Sequence, residues 1–206
     1  TMASQMSEAD ETVSSLYSVK SEQATMLSFD TYNYLVHYFG QPQGSMSDDP
    51  NGTLGGDYEF IISSASAERI ELKGKKYGNR IVMKALSEDQ TWKQYLTKIK
   101  KVEDDAFFYE YDLLMDGLYT GQMIRSNYTF ILTYYDEIGK VHQKTVPFMF
   151  TADGLRFHEP VTIDGQTMQN FVWKNELISF VCTDEGATGV KLAGVYTAGY
   201  QSYDYY

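Results

Sequence analysis

Three histidines, His37, His142 and His158, and a single cysteine, Cys182, are the side chains of this 206-residue sequence best suited to metal binding or nucleophilic attack. The histidines are too few and too scattered to bind zinc from one element, and HExxH is absent. One cysteine excludes an intramolecular disulfide and any multi-cysteine metal site. Cys182 follows the apolar run Ile178 to Val181, so small hydrophobic filler is the expected role. The stretch Asp48-Asp49-Pro50-Asn51-Gly52 has the composition of a calcium loop. Counted from Asp49, however, its glycine falls at position 4 and Phe60 at position 12, where an EF-hand needs glycine at 6 and glutamate at 12. A different calcium arrangement from Asp48, Asp49 and Asp57 is the weaker alternative. GxxxxGK[ST], GxGxxG and GxSxG are all missing, so phosphate cradles and nucleophile elbows have no support. Asp104 and Asp105 read as a solvated charge run at a helix end. No catalytic residue, metal or cofactor is expected.

Binding chemistry has more to work with. The chain carries 18 Tyr, 11 Phe and 2 Trp against 17 Lys and Arg, and tyrosine offers a flat ring with a polar handle. Most of these rings are expected on half-buried strands, where tyrosine is favoured. After Asp30, Tyr32, Leu35, Val36 and Phe39 recur at helical spacing and form the expected core stripe of a short helix capped by Asp30 and ended by Gly40. Tyr34, His37 and Tyr38 are left on the opposite face, next to the polar loop Gln41 to Gly56, and form the candidate ligand-binding site. The competing reading buries this face as well. A second candidate is the basic group Lys75, Lys76 and Arg80, flanked by Lys73 and Lys84, which suits an anionic ligand. Its plainer reading is a set of charges that keeps an exposed strand edge from pairing with another molecule.

The elements that must position these residues are mostly strands. Leu16 to Lys20 and Thr25 to Phe29 flank the polar Ser21-Glu22-Gln23 and predict a hairpin. Asp57 to Ile62, Glu68 to Lys73 and Arg80 to Leu86 predict a meander. Ser87 and Gln90 form a capping box ahead of a helix over Glu88 to Val102, with Trp92, Tyr95, Leu96, Ile99 and Val102 on one stripe. Strands are then expected at 108–115, 118–124, 128–135, 141–151, 155–157, 161–163, 169–173 and 177–182. Asp116-Gly117, Asp153-Gly154 and Asp164-Gly165 supply turn chemistry between them. Gly186 to Tyr206, ending GYQSYDYY, is a last strand or an ordered arm.

This cadence predicts a mainly β protein, an antiparallel meander forming a barrel-like or sandwich structure, with one long and one short helix packed on it. It is expected as a single β-rich domain over residues 1–206, or as two similar β subdomains divided near 103–107. A net charge of −11 argues against nucleic acid as a partner. No apolar run approaches the roughly 18 residues that would cross a bilayer as a helix. Thr1 to Asp10 is not a signal peptide.

Four runs, LSFDTYNYLVHYF (Leu27 to Phe39), GGDYEFII (Gly55 to Ile62), LKGKKYGNRIVMK (Leu72 to Lys84) and FTADGLRFHEPV (Phe150 to Val161), together resemble a Bacteroidetes lipoprotein family catalogued as domain of unknown function 4302. The resemblance implies an exported, lipid-anchored envelope protein associated with TonB-dependent nutrient uptake at the outer membrane, facing the periplasm or the cell surface. It brings no active site with it. Family members extend further upstream, with a signal peptide and a lipid-acceptor cysteine, so the anchor region is expected to lie outside this chain and Cys182 cannot be the acceptor. The resulting expectation is a non-enzymatic accessory protein that binds a glycan, a peptide or the outer-membrane transport proteins, touching the membrane only through its anchor. A glycan-active hydrolase using scattered carboxylates and a structural subunit of an outer-membrane complex are the alternatives.

Overall fold

A computed structural model describes residues 1–5, 7–21, 24–40, 55–136 and 138–196. The chain folds as two compact units, Thr1–Leu96 and Thr97–Tyr206. It is mainly antiparallel β. Among the described residues no helix is long and apolar enough to cross a membrane.

The first unit holds a five-stranded antiparallel sheet in simple meander order. Its strands are β1 (Tyr17–Ser21), β2 (Thr25–Phe29), β3 (Glu59–Ala65), β4 (Arg69–Gly74) and β5 (Arg80–Lys84). Met26, Phe60 and Leu72 are its buried apolar residues, and Phe29 meets Phe60 edge to face with ring centroids 6.3 Å apart. Between β2 and β3 lies a single-turn helix, α1 (Tyr34–His37). Its cap is Asn33 and not Asp30: Asn33 is fully buried, and its Oδ1 accepts the Leu35 N–H at 3.0 Å. Both are good capping residues. Asn33 prevails because its amide also donates to Ser15 Oγ, 3.3 Å away, which ties the N-terminal segment to the helix. The later start shortens the expected stripe, and Tyr32, expected in the core, is 60% exposed.

The second helix, α2 (Trp92–Asp105), begins in the first unit and ends in the second. The expected box at Ser87 and Gln90 forms only a turn, with the Gln90 N–H on the Ser87 carbonyl. The box that caps the helix is one turn later. Gln94 N–H donates to Thr91 Oγ1 at 3.2 Å and Gln94 Oε1 accepts the Thr91 N–H at 2.9 Å. Two S/T-x-x-Q boxes stand in tandem, and the second directly precedes the stripe of Leu96, Ile99 and Val102 that the fold buries.

The second unit is a closed eight-stranded barrel. In chain order its strands are β6 (Glu110–Met115), β7 (Leu118–Ser126), β8 (Thr129–Tyr135), β9 (Val141–Phe150), β10 (Gly154–Ile163), β11 (Gln166–Lys174), β12 (Ser179–Cys182) and β13 (Val190–Gly194). The two short strands expected at 155–157 and 161–163 are one strand, β10, with a register shift between Arg156 and Val161. Asp116-Gly117 and Asp164-Gly165 have positive φ at both positions, the hairpin geometry that Asp-Gly favours. Closure depends on β13, which pairs with β12 on one side and β6 on the other. Its interior is solid. Phe130 and Phe148 stack with centroids 4.2 Å apart, and Tyr111, Phe150, Phe157 and Phe180 lie fully buried around them. A barrel of this strand number is just wide enough for side chains to fill, so the site has to be sought outside it.

Candidate functional site

The candidate site lies in the first unit, where α1, the start of β3 and the β4–β5 connection meet. Gly40 and Gly56 stand side by side. Gly56 N–H donates to the Phe39 carbonyl at 2.8 Å, and a side-chain carbon on Gly56 would overlap Phe39. The chain therefore leaves at Gly40 and returns at Gly56 through a neck that admits no larger residue at the second position. Most of the polar loop expected between them, including Asp48 and Asp49 of the calcium alternative, lies outside the described residues, as does the GYQSYDYY tail.

Immediately after the neck, Asp57 is buried and acts as a clamp. Its Oδ1 accepts the Lys76 N–H at 2.7 Å and the Tyr77 N–H at 3.2 Å, and its Oδ2 accepts from Asn79 Nδ2 at 3.3 Å. A carboxylate that accepts from successive backbone N–H groups adds charge-assisted bonds to a loop already closed by the Gly78 N–H on the Gly74 carbonyl. The loop after β4 is held against the start of β3 in this way, and Lys75 reaches Glu59 at 3.0 Å. The product is a depression of about 330 Å³ lined by Gly40, Gly56, the consecutive Asp57, Tyr58 and Glu59, and Lys75 and Lys76.

A ladder of rings borders it. His37 stacks on Tyr58 with centroids 5.1 Å apart and planes 17° from parallel, and Tyr32 tilts against His37 at 5.4 Å. Tyr32 and Tyr58 remain 60% and 45% exposed. His37 is held from behind, since its Nδ1 lies 3.1 Å from the Asn33 N–H.

The three aromatic residues expected as a site point to three different neighbours. Tyr34 donates its hydroxyl to Glu11 Oε1, Tyr38 packs edge-on against Phe39, and His37 joins the ladder. A single helical turn cannot present a flat shared face. Of the basic candidates, Lys75 and Lys76 line the depression, while Arg80 lies beyond it and pairs with Glu71 at 3.3 Å. Lys76 sits 4.7 Å over the Tyr77 ring. With Lys75 held by Glu59, the depression presents mixed charge and not a bare cationic surface. Tyr58, Asp57 and Glu59 are the site residues that periodicity does not single out. The signal that points to them is the Gly55-Gly56 pair, which marks a close backbone approach just before a strand.

In the barrel, Asp184 and Cys182 have structural surroundings. Asp184 accepts from the Gln169 and Asn170 N–H groups and from Asn170 Nδ2, all within 2.7 Å. Partial burial tends to raise its carboxyl, but these bonds hold it below the usual value. Burial pushes the Cys182 thiol up to about 11, which fits filler chemistry. Among the described residues no group of three or more His, Cys, Asp or Glu side chains is arranged to hold a metal ion.

The family described as Domain of unknown function (DUF4302) matches residues 1–175. That span contains both the ring ladder and the depression. No curated protein and no solved structure matches the chain.

Proposed function

The chain belongs to the family of domain of unknown function 4302, and on that premise we propose that it is a non-enzymatic ligand-binding component of the bacterial cell envelope. In this reading it is a lipid-anchored outer-membrane protein that holds a glycan for a TonB-dependent nutrient uptake system. The observation that carries the binding reading is the Tyr32–His37–Tyr58 ladder beside the depression. Exposed rings locked by their neighbours offer stacking surface at little entropic cost, and the adjoining charged and polar groups offer hydrogen bonds. Stacking on an exposed ring contributes on the order of 1 kcal/mol.

Binding is favoured over hydrolysis by the state of the carboxylates at the site. Asp57 is consumed by loop N–H groups and Glu59 by Lys75. A glycosidase needs one carboxylic acid poised to donate a proton and a second carboxylate facing the same bond. The envelope assignment rests on what the family resemblance implies.

The test is a glycan array and a peptide array, with product formation followed in parallel. The expected result is glycan capture by the wild-type chain that is lost in Tyr58→Ala with an unchanged melting temperature. Peptide capture at the same residues would change the ligand class. Multiple turnovers abolished by replacing Glu59 would replace the binding reading with the hydrolase.

A further inference from the structure

The fifth strand is an open edge with a definite chemical code. Gly74 N–H donates to the Asn79 carbonyl at 2.8 Å and Ala85 N–H to the Glu68 carbonyl at 3.1 Å. These are the hydrogen-bonded pairs at the two ends of the β4–β5 ladder, whose register runs from Arg69 opposite Lys84 to Lys73 opposite Arg80. Bonded and non-bonded pairs alternate along an antiparallel ladder. Ile81 and Met83 therefore turn their N–H and C=O groups toward β4, and Arg80, Val82 and Lys84 turn theirs away from the sheet. Among the described residues none of these outward groups has a hydrogen-bond partner. All five residues of the strand are exposed, and Ile81, Val82 and Met83 form an apolar centre between two cations.

We propose that β5 receives an extended segment of a partner protein as an additional antiparallel strand, one carrying acidic residues opposite Arg80 and Lys84 with apolar residues between them. The code comes from the register. A strand bonded to the outward groups sets its own residues directly opposite Arg80, Val82 and Lys84, where opposite charges attract and like charges repel. A second copy of β5 fits badly. A two-fold axis at Val82 places Arg80 against Lys84 at both ends, so the cations that suppress self-pairing also select an acidic partner. The Arg80 side chain stays 65% exposed while bonded to Glu71, and among the described residues no carboxylate pairs with Lys84. The edge at β1 lacks this code. Asp30 N–H donates to the Leu16 carbonyl, so the outward residues there are the uncharged Tyr17, Val19 and Ser21. Recognition of this kind draws affinity from backbone bonds and specificity from alternate side chains.

The experiment uses the full chain and two blocked peptides, Thr-Glu-Val-Val-Val-Glu-Thr and its counterpart with Lys in place of both Glu residues. The acidic peptide is expected to bind about tenfold more tightly than the basic one at low salt, with the difference shrinking as salt rises. It should slow amide hydrogen exchange at Arg80, Val82 and Lys84 and leave Tyr17 and Val19 unchanged. The double variant Arg80→Glu with Lys84→Glu is expected to reverse the preference. Val82→Pro, which removes only an outward N–H, should abolish binding with little change in melting temperature. Four outcomes would overturn the proposal: no binding of the acidic peptide up to millimolar concentration, no difference between the peptides, protection at β1 in place of β5, or sedimentation as a dimer that dissociates on reversing the two charges.

Discussion

Asp57 occupies the space that a side chain on Gly74 would need. A carbon added to Gly74 overlaps the Asp57 carboxylate, and that carboxylate accepts the Lys76 and Tyr77 N–H groups of the following loop. The last residue of β4 is therefore glycine for the sake of an acid near the start of β3. The pair fixes one wall of the depression.

Removing the clamp is expected to loosen the loop more than the sheet. Asp57→Ala removes the carboxylate that accepts the part-buried Lys76 and Tyr77 N–H groups and should cost about 1 to 3 kcal/mol in urea unfolding of the first unit. Gly74→Ala displaces the same carboxylate and should have a comparable cost. Because the two changes break one interaction, the double variant is expected to fall well short of their sum. Full additivity would show that Asp57 and Gly74 act independently.

The barrel should respond separately. Phe130→Ala opens a cavity against Phe148 and is expected to destabilise the second unit by about 3 to 5 kcal/mol. Trp173 packs on Phe180 with centroids 4.8 Å apart, so in a Trp92→Phe background its fluorescence reports the barrel alone. A loss below about 1 kcal/mol would contradict the close-packed interior.

Asp184 gives the barrel a pH dependence of known sign. Its carboxyl is held below its unfolded value by the Gln169 and Asn170 bonds, which outweigh the opposing effect of burial. Its contribution is thus present in full above the unfolded value, about 3.9, and is lost as pH falls through the lower folded value. Asp184→Asn should cost about 1 kcal/mol near neutral pH, kept small by solvent around the carboxylate. The gap between wild type and variant should close progressively below pH ~4. A gap that is constant from neutral to strongly acidic pH would contradict this.

Cys182 is expected to be inert while the protein is folded. With its thiol pushed up to about 11, the native protein at pH 8 should react with an aromatic disulfide reagent about 100-fold more slowly than the unfolded chain. Equal rates in the two states would place the thiol in a different environment.

Strand periodicity, Asp-Gly turns and the α2 stripe were written locally, because alternation and turn chemistry depend only on neighbours along the chain. From these alone the sequence determined an antiparallel β protein, the β1–β2 hairpin, the three-strand meander β3 to β5 and most of its barrel strands; that the hairpin and the meander share one sheet was decided by the pairing of β2 with β3. The tertiary structure decided what local pattern could not. Asp30 and Asn33 are equally acceptable caps, as are Ser87 and Thr91; the choice fell to Asn33 because Ser15, eighteen residues earlier, receives its amide, and to Thr91 because burial begins at Leu96. Val190–Gly194 has weak strand character by itself and becomes a strand because β6 and β12 both need a partner. The ring ladder follows the same rule. His37 was legible as a candidate, but Tyr58 lies on the far side of a long loop, and only the neck at Gly40 and Gly56 brings the two rings together. Periodicity records which face of an element is buried; which distant residues share a site depends on loop closure and packing, which it does not encode.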